Sequence, residues 1–311
     1  FLEAVEINPV VVHGGGKAIT RAMEAAGLKA QFIQGQRVTD AATVGVVDQV
    51  LSREINPEVV QTLQSLGGAA RGFAGTDIFT CRKLWLRDAA GAPVDIGYVG
   101  EVTAVNTAPL LDCIRQGITP VISPTARGED GHVYNCNADV AAAMAAIALK
   151  ARRLVFMSDV PGLMRDPKDP ATVIPHLSVS EVPGLKATGV VDKGMIPKVD
   201  SAVAALRSGV EKVSFVDGRV PHSVLLEIFT DAGVGTEVVL DVPPIAYATN
   251  SQDFIAASLA EVGLQVTINP IEWAEWLDRV FTQADYDMTV VCHVERNDMA
   301  IYANPDYYFR Y

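Results

Sequence analysis

The sequence predicts an α/β protein whose mostly parallel sheet is covered by helices on both faces. Two observations lead there. Short apolar runs alternate with helix-length segments through residues 1–240, and glycine-rich turns close the runs. A third sets the scale: 311 residues, 49% hydrophobic and 20% charged, suffice for a large core and an appended piece.

Pro9–Val12 is a short buried strand ending in Gly14-Gly15-Gly16, and Lys17–Ala26 follows as a helix. Glu58–Leu66 reads as a helix stopped by Gly67-Gly68. Cys81–Leu86 and Tyr98–Val105 form a hairpin with a turn at Ala90-Gly91, the main antiparallel insertion. A helix over Pro109–Arg115, a strand at Thr119–Ser123 and an alanine-rich helix over Ala138–Lys150 come next. The strand Leu154–Met157 runs into Ser158-Asp159-Val160-Pro161-Gly162. A helix over Met195–Arg207 precedes strands at Val213–Val216 and Glu237–Leu240, which flank a helix at Ser223–Phe229.

Composition shifts near residue 241. Of 25 glycines only Gly263 lies beyond it, and no lysine follows Lys212. The expected organisation is a domain over 1–240, a stiff connector at 241–245 around Pro243-Pro244, and a separate piece over 246–311. Net charge of -12 argues against a nucleic-acid surface, which needs a basic stripe. Any anionic ligand must instead be drawn by placed cations and amide donors. Four scattered cysteines suit reduced thiols in a cytoplasmic protein. No apolar run reaches membrane-spanning length. The opening Phe1-Leu2-Glu3-Ala4-Val5-Glu6 reads as the end of an amphipathic helix, not as a signal peptide.

Five short motifs carry chemistry. Val10-Val11-Val12-His13-Gly14-Gly15-Gly16-Lys17 brings backbone amides to an anion at a helix start; its plainer reading is a tight connection. Asn135-Cys136-Asn137-Ala138-Asp139 holds more amide and carboxylate than one helix cap requires. Lys198 falls early in a helix, where the dipole disfavours a cation, so phosphate neutralisation competes with a solvated surface lysine. Ser158-Asp159-Val160-Pro161-Gly162-Leu163 sits at the carboxyl end of a strand, where open α/β sheets bind ligands, or is simply a Pro-Gly turn. In Gly35-Gln36-Arg37-Val38-Thr39 the guanidinium either forks onto a carboxylate or pairs at the surface.

In order and context these motifs resemble the acetylglutamate kinases of the amino-acid kinase family. The likeness rests on NPVVVHGGGKAI at 8–19, GQRVTD at 35–40, GYVGEV at 97–102, NCNAD at 135–139, SDVPGL at 158–163, KGMIPKV at 193–199 and GVGTEVV at 233–239. It implies an open three-layer αβα sandwich that phosphorylates the side-chain carboxylate of N-acetyl-L-glutamate with ATP and Mg2+, in arginine biosynthesis, as a homo-oligomer. By the same resemblance Gly15, Gly16, Arg37 and Asn135 hold acetylglutamate. Asp159, Val160, Gly162, Leu163, Met164, Val190, Val191 and Asp192 line the nucleotide. Lys198 stabilises the transferring phosphoryl group, Asp139 orients active-site lysines, and no residue is assigned to a metal.

The family opens with a strand ending Lys-x-Gly-Gly, which residues 1–240 are expected to lack, and loss of its lysine is expected to cost on the order of 10²–10³ in rate. Gly75-Thr76-Asp77-Ile78-Phe79 also departs from the family's usual Gly-Lys-Asp-Gly-Gly. Residues 246–311 resemble part of a peptide-binding protein of the ABC-transporter solute-binding class, through EWAEWLDRVF at 272–281, YDMTVV at 286–291 and NPDYYFRY at 304–311. The competing expectations are a catalytically silent binding fragment, a glutamate or aspartate kinase, and a transport component acting through the tail.

Overall fold

The computed structural model describes residues 7–88, 90–191, 194–229, 235–236, 240–242, 268–276 and 278–279. The chain forms two compact units, Phe1–Leu154 with Lys193–Val210, and Val155–Asp192 with Glu211–Tyr311.

The first unit opens with β1 (Val11–Val12), the glycine turn and α1 (Gly16–Ala25). Ile19 and Met23, four residues apart, form the buried face of α1. The helix ends because Gly27 takes φ +73°, which lets Leu28 N–H reach the Met23 carbonyl at 2.8 Å. The hairpin β2 (Phe32–Ile33) and β3 (Gln36–Arg37) follows, then α2 (Ala41–Asp48), capped by the Asp40 carboxylate on Thr43 N–H at 2.8 Å. A π-helical segment, Gln49–Ile55, joins α2 to α3 (Asn56–Ser65). Val47, Val50 and Leu51 bury against Ile19 and Met23 in one cluster.

This helical stretch before Asn56 is not read from the sequence. Ala41–Asp48 is apolar on all sides and rich in Val, Thr and Gly, so it carries neither a helical period nor strong helix propensity.

A parallel sheet orders β1, β7 (Thr119–Ile122) and β4 (Ala70–Phe73), with β7 central. The predicted hairpin is present and longer than expected, as β5 (Phe79–Arg87) and β6 (Pro93–Val105). It closes with β8 (Thr125–Gly128) and β9 (Val133–Cys136) into a four-stranded barrel, which the sequence reading did not foresee. So narrow a barrel demands small residues inside. A Cβ on Gly100 would lie 2.6 Å from Cys81 Sγ and 3.0 Å from Tyr134 Cβ. The core joins barrel residues Phe79, Cys81, Val102 and Tyr134 to Ile122 of the sheet and Ala141 of α6 (Ala138–Ala148). Between these lie the one-turn α4 (Gly75–Ile78) and α5 (Ala108–Arg115). The unit also holds α8 (Ile196–Arg207), which packs on α6.

The second unit pairs β10 (Arg153–Ser158) with β11 (Lys212–Asp217), and Phe156 stacks on Phe215 with centroids 5.6 Å apart. It includes α7 (Glu181–Ala187) and α9 (Ser223–Phe229), the latter with the predicted bounds. Here β12 (Leu240–Val242) runs parallel to β13 (Ile268–Pro270), so Asp241 and Val242, expected to begin a connector, are paired in a strand. A turn of helix at Trp273–Trp276 falls within the EWAEWLDRVF segment. The YDMTVV and NPDYYFRY segments lie outside the described residues.

Gly75 offers a sharp test of this packing. A Cβ there would lie 2.0 Å from the Thr125 carbonyl oxygen and 2.1 Å from that of Ser123, both backbone. Gly75→Ala is expected to lower unfolding stability by about 3 kcal/mol. Gly45→Ala, at an exposed position of α2 with nothing within 4 Å, is expected to raise it by about 0.5–1 kcal/mol. Urea midpoints at unchanged slope measure both.

Candidate active site

At the carboxyl end of β1 the chain turns through Gly14-Gly15-Gly16 into α1. Gly15 is closely packed: a Cβ there would lie 2.5 Å from Leu51 Cδ2 and 2.7 Å from Ile55 Cδ1, both on the π-helical segment, so a larger residue would have to push those methyls aside. Before the turn, His13 is buried, with its Nδ1 2.9 Å from the Gly14 carbonyl oxygen and its Nε2 3.2 Å from Asn56 Nδ2.

The β2–β3 hairpin turns on Gln34 and Gly35, both at positive φ, and this delivers Arg37 to the same place. Arg37 is buried. Its guanidinium donates to the Gly16 carbonyl at 3.1 Å, to Thr20 Oγ1 at 2.9 Å and to Met23 Sδ at 3.3 Å, and lies 4.7 Å over the Phe32 ring. Burial lowers its pKa from the ordinary value.

From Arg37 the connection runs to Asn135. Thr39, fully buried, donates from Oγ1 to the Arg37 carbonyl at 3.0 Å and accepts from Asn135 Nδ2 at 3.4 Å. Asn135 is the penultimate residue of β9, and two residues later Asn137 caps α6 by accepting from the Asp139 and Val140 amides at 2.9 and 3.2 Å. The motif thus divides its labour: Asn137 is the cap, and Asp139 is left to accept from Lys198 Nζ at 2.6 Å. Hydrogen bonds and short chain segments therefore link Gly16, Arg37, Asn135, Asp139 and Lys198 into one array.

In the second unit, Asp159 is exposed after β10, with Val160 half-buried and Gly162, Leu163 and Met164 buried. Leu163 accepts at its carbonyl from Ile174 N–H at 2.7 Å and donates its own N–H to Thr236 Oγ1 at 3.4 Å. Val191 is buried and Val190 half-buried, whereas Asp192 lies outside the described residues. The side chains of Leu163, Met164 and Val191 are core, so what this strip offers outward is backbone together with Asp159. Sequence reasoning missed Arg219. It forks onto Asp217, Nε to Oδ1 at 2.9 Å and an Nη to Oδ2 at 2.8 Å, and holds that carboxyl down to about 2. It missed Asn56 as well, which no local pattern marks.

Residues 2–217, which contain every one of these site residues except Arg219, match the sequence profile of the amino acid kinase family. The chain belongs to the amino acid kinase family. Curated relatives include acetylglutamate kinases. That of Akkermansia muciniphila is 47% identical over 240 residues, covering 77% of this chain and 81% of the relative. That of Heliobacterium modesticaldum is 46% identical over 245 residues, covering 77% and 83%. The fold is also similar to the crystal structure of smu.665 from Streptococcus mutans, with a TM-score of 0.64 at 25% identity over 76% of this chain and 87% of that one.

Burial lowers the His13 pKa from its ordinary 6.5, against a smaller opposing effect of the Gly14 contact. The unfolded chain therefore binds this proton at a higher pH than the folded one. The stability this represents is complete above 6.5 and drains away as pH falls toward the folded value. Unfolding midpoints measured from pH 8 to 5 are expected to decline below about 6.5, and His13→Gln should flatten that decline.

Proposed function

We propose that this chain is an acetylglutamate kinase, transferring the γ-phosphoryl group of ATP to the side-chain carboxylate of N-acetyl-L-glutamate in arginine biosynthesis. The observation that carries the reading is 44–47% identity to curated acetylglutamate kinases over most of their length. The hydrogen-bonded array in the first unit supports it, because phosphoryl transfer needs positioning and charge compensation more than covalent help.

In this reading Arg37 and Asn135 grip the acetylglutamate, and the Gly15 and Gly16 amides face its anionic end. A carboxylate oxygen of the substrate attacks the γ-phosphorus, the bond to the β,γ-bridging oxygen breaks, and ADP leaves with that electron pair. Lys198 compensates the charge gathering on the transferred group, and Asp139 holds the ammonium in position through the 2.6 Å contact. Asp159, Val160, Gly162, Leu163, Met164, Val190, Val191 and Asp192 serve the nucleotide, chiefly through backbone groups. In this reading Mg2+ comes as part of MgATP.

We read residues 1–240 as the kinase, acting in the cytoplasm as a homo-oligomer, and the segment after 245 as a separate piece. No helix among the described residues is long and apolar enough to cross a membrane.

A coupled ADP-release assay tests the activity, with N-acetylglutamate, glutamate and aspartate as acceptors. N-acetylglutamate is expected to be preferred, and no turnover with any acceptor would reject the assignment. Lys198→Met should lower kcat on the order of 10²–10³ with little change in KM for N-acetylglutamate. Arg37→Lys should act mainly on that KM, raising it about ten-fold or more, since the planar fork is lost.

A further inference from the structure

Asn56, at the first position of α3, is buried among three strand ends. Its Nδ2 lies 3.0 Å from the Val121 carbonyl of β7, 3.5 Å from the Phe73 carbonyl of β4 and 3.2 Å from His13 Nε2. Carbonyl oxygens only accept, so the group facing them must be the amide nitrogen. Its Oδ1 instead lies over Gly72, where a Cβ would stand 2.2 Å from it. With Asn56 fixed as donor, His13 Nε2 must accept, and the imidazole proton sits on Nδ1. From there it donates to the Gly14 carbonyl at 2.9 Å. Each step forces the next.

The last bond matters because the Gly14 carbonyl and the Gly15 N–H belong to one planar trans peptide and point in opposite directions. Holding the carbonyl toward His13 turns the Gly15 amide the other way. Without that hold, Gly14, which has no Cβ to restrict its backbone, leaves the peptide freer to turn over.

We propose that His13 and Asn56 are positioning residues for the acetylglutamate site: the Nδ1-protonated imidazole, set by Asn56, anchors the Gly14 carbonyl and so aims the glycine-turn amides at the substrate's anionic end. This rests on the functional reading above. Neither residue touches the substrate; both act through the peptide between Gly14 and Gly15.

Two measurements on the full chain test it. Imidazole 15N resonances of the parent chain near neutral pH should show His13 protonated at Nδ1 and bare at Nε2; the reverse tautomer overturns the proposal. In the kinetic arm, His13→Ala and Asn56→Ala should raise KM for N-acetylglutamate about ten-fold while KM for ATP stays within about two-fold. His13→Asn returns an N–H donor near the Nδ1 position and should restore the parent KM. His13→Gln, which replaces only the Nε2 acceptor, should not.

Parent turnover with unchanged KM in the alanine variants, or equal behaviour of the Asn and Gln variants, overturns this proposal alone. No parent turnover overturns the functional reading and this proposal together. Should Asn56→Ala fail to fold, the His13→Asn and His13→Gln comparison and the imidazole spectrum decide.

Discussion

Thr39 is the point at which the hairpin, the barrel and the substrate side of the candidate site are fastened together. Its N–H donates to the Ile96 carbonyl at 2.9 Å and its carbonyl accepts from Tyr98 N–H at 2.6 Å, so it pairs with β6 across Gly97. That pairing is possible because Gly97 takes φ +81° and has no Cβ, which would otherwise stand 2.1 Å from the Thr39 oxygen. With its backbone committed to the barrel, the buried hydroxyl still has one proton to give and a lone pair to receive. It gives to Arg37 and receives from Asn135. The Arg37 backbone and the Asn135 side chain, 98 positions apart in sequence, are thereby fixed to a common residue. The next residue, Asp40, caps α2, so this junction also sets where that helix begins.

A chain of net charge -12 has to hold anions by local means. In the proposed reading Lys198 is one of those means. It lies in the first turn of α8, where the helix dipole repels a cation, while Asp139 lies in the first turn of α6, where the dipole favours an anion. The carboxylate therefore brings to the lysine the compensation that its own helix withholds. With both side chains about one-fifth exposed, the pair gains from partial shielding and loses through desolvation, so it is a weak source of stability. Its value is geometric. An ammonium on a flexible stem is tied to one place at the cost of one buried contact.

What could be read from the sequence was whatever is local. The glycine turn, the hairpin arginine, Asn135, Asp139 and Lys198 announce themselves within a few residues, because strand ends, helix starts and tight turns impose residue types at short spacing. The barrel did not, because β8 is four residues long and gains meaning only through its pairing with β5 and β9. Nor did Asn56, whose partners at positions 13, 73 and 121 come from three strands. In the second unit the pattern Asp159 to Met164 marked a loop correctly, but could not tell that Leu163 and Met164 turn their side chains into the core. A motif fixes where the backbone goes sooner than where each side chain points.

Three consecutive glycines are a poor way to hold a shape, since each loses more backbone freedom on ordering than any other residue. They are used where the chain must come very close to something, and here Gly15 is pressed against Leu51 and Ile55. Those two side chains share a buried side of the π-helical segment, whose wider winding carries the helical run from the Asp40 cap to Asn56. The turn is thus closed from behind by apolar contact and from the strand side by His13 and Asn56, with Arg37 drawing on the Gly16 carbonyl. The entropy of ordering it is met when the protein folds, not when a ligand arrives. If the turn binds substrate as proposed, a site prepared this way spends its binding free energy on the substrate's charge, and its selectivity is then settled by the packing behind the glycines as much as by the groups that face the ligand.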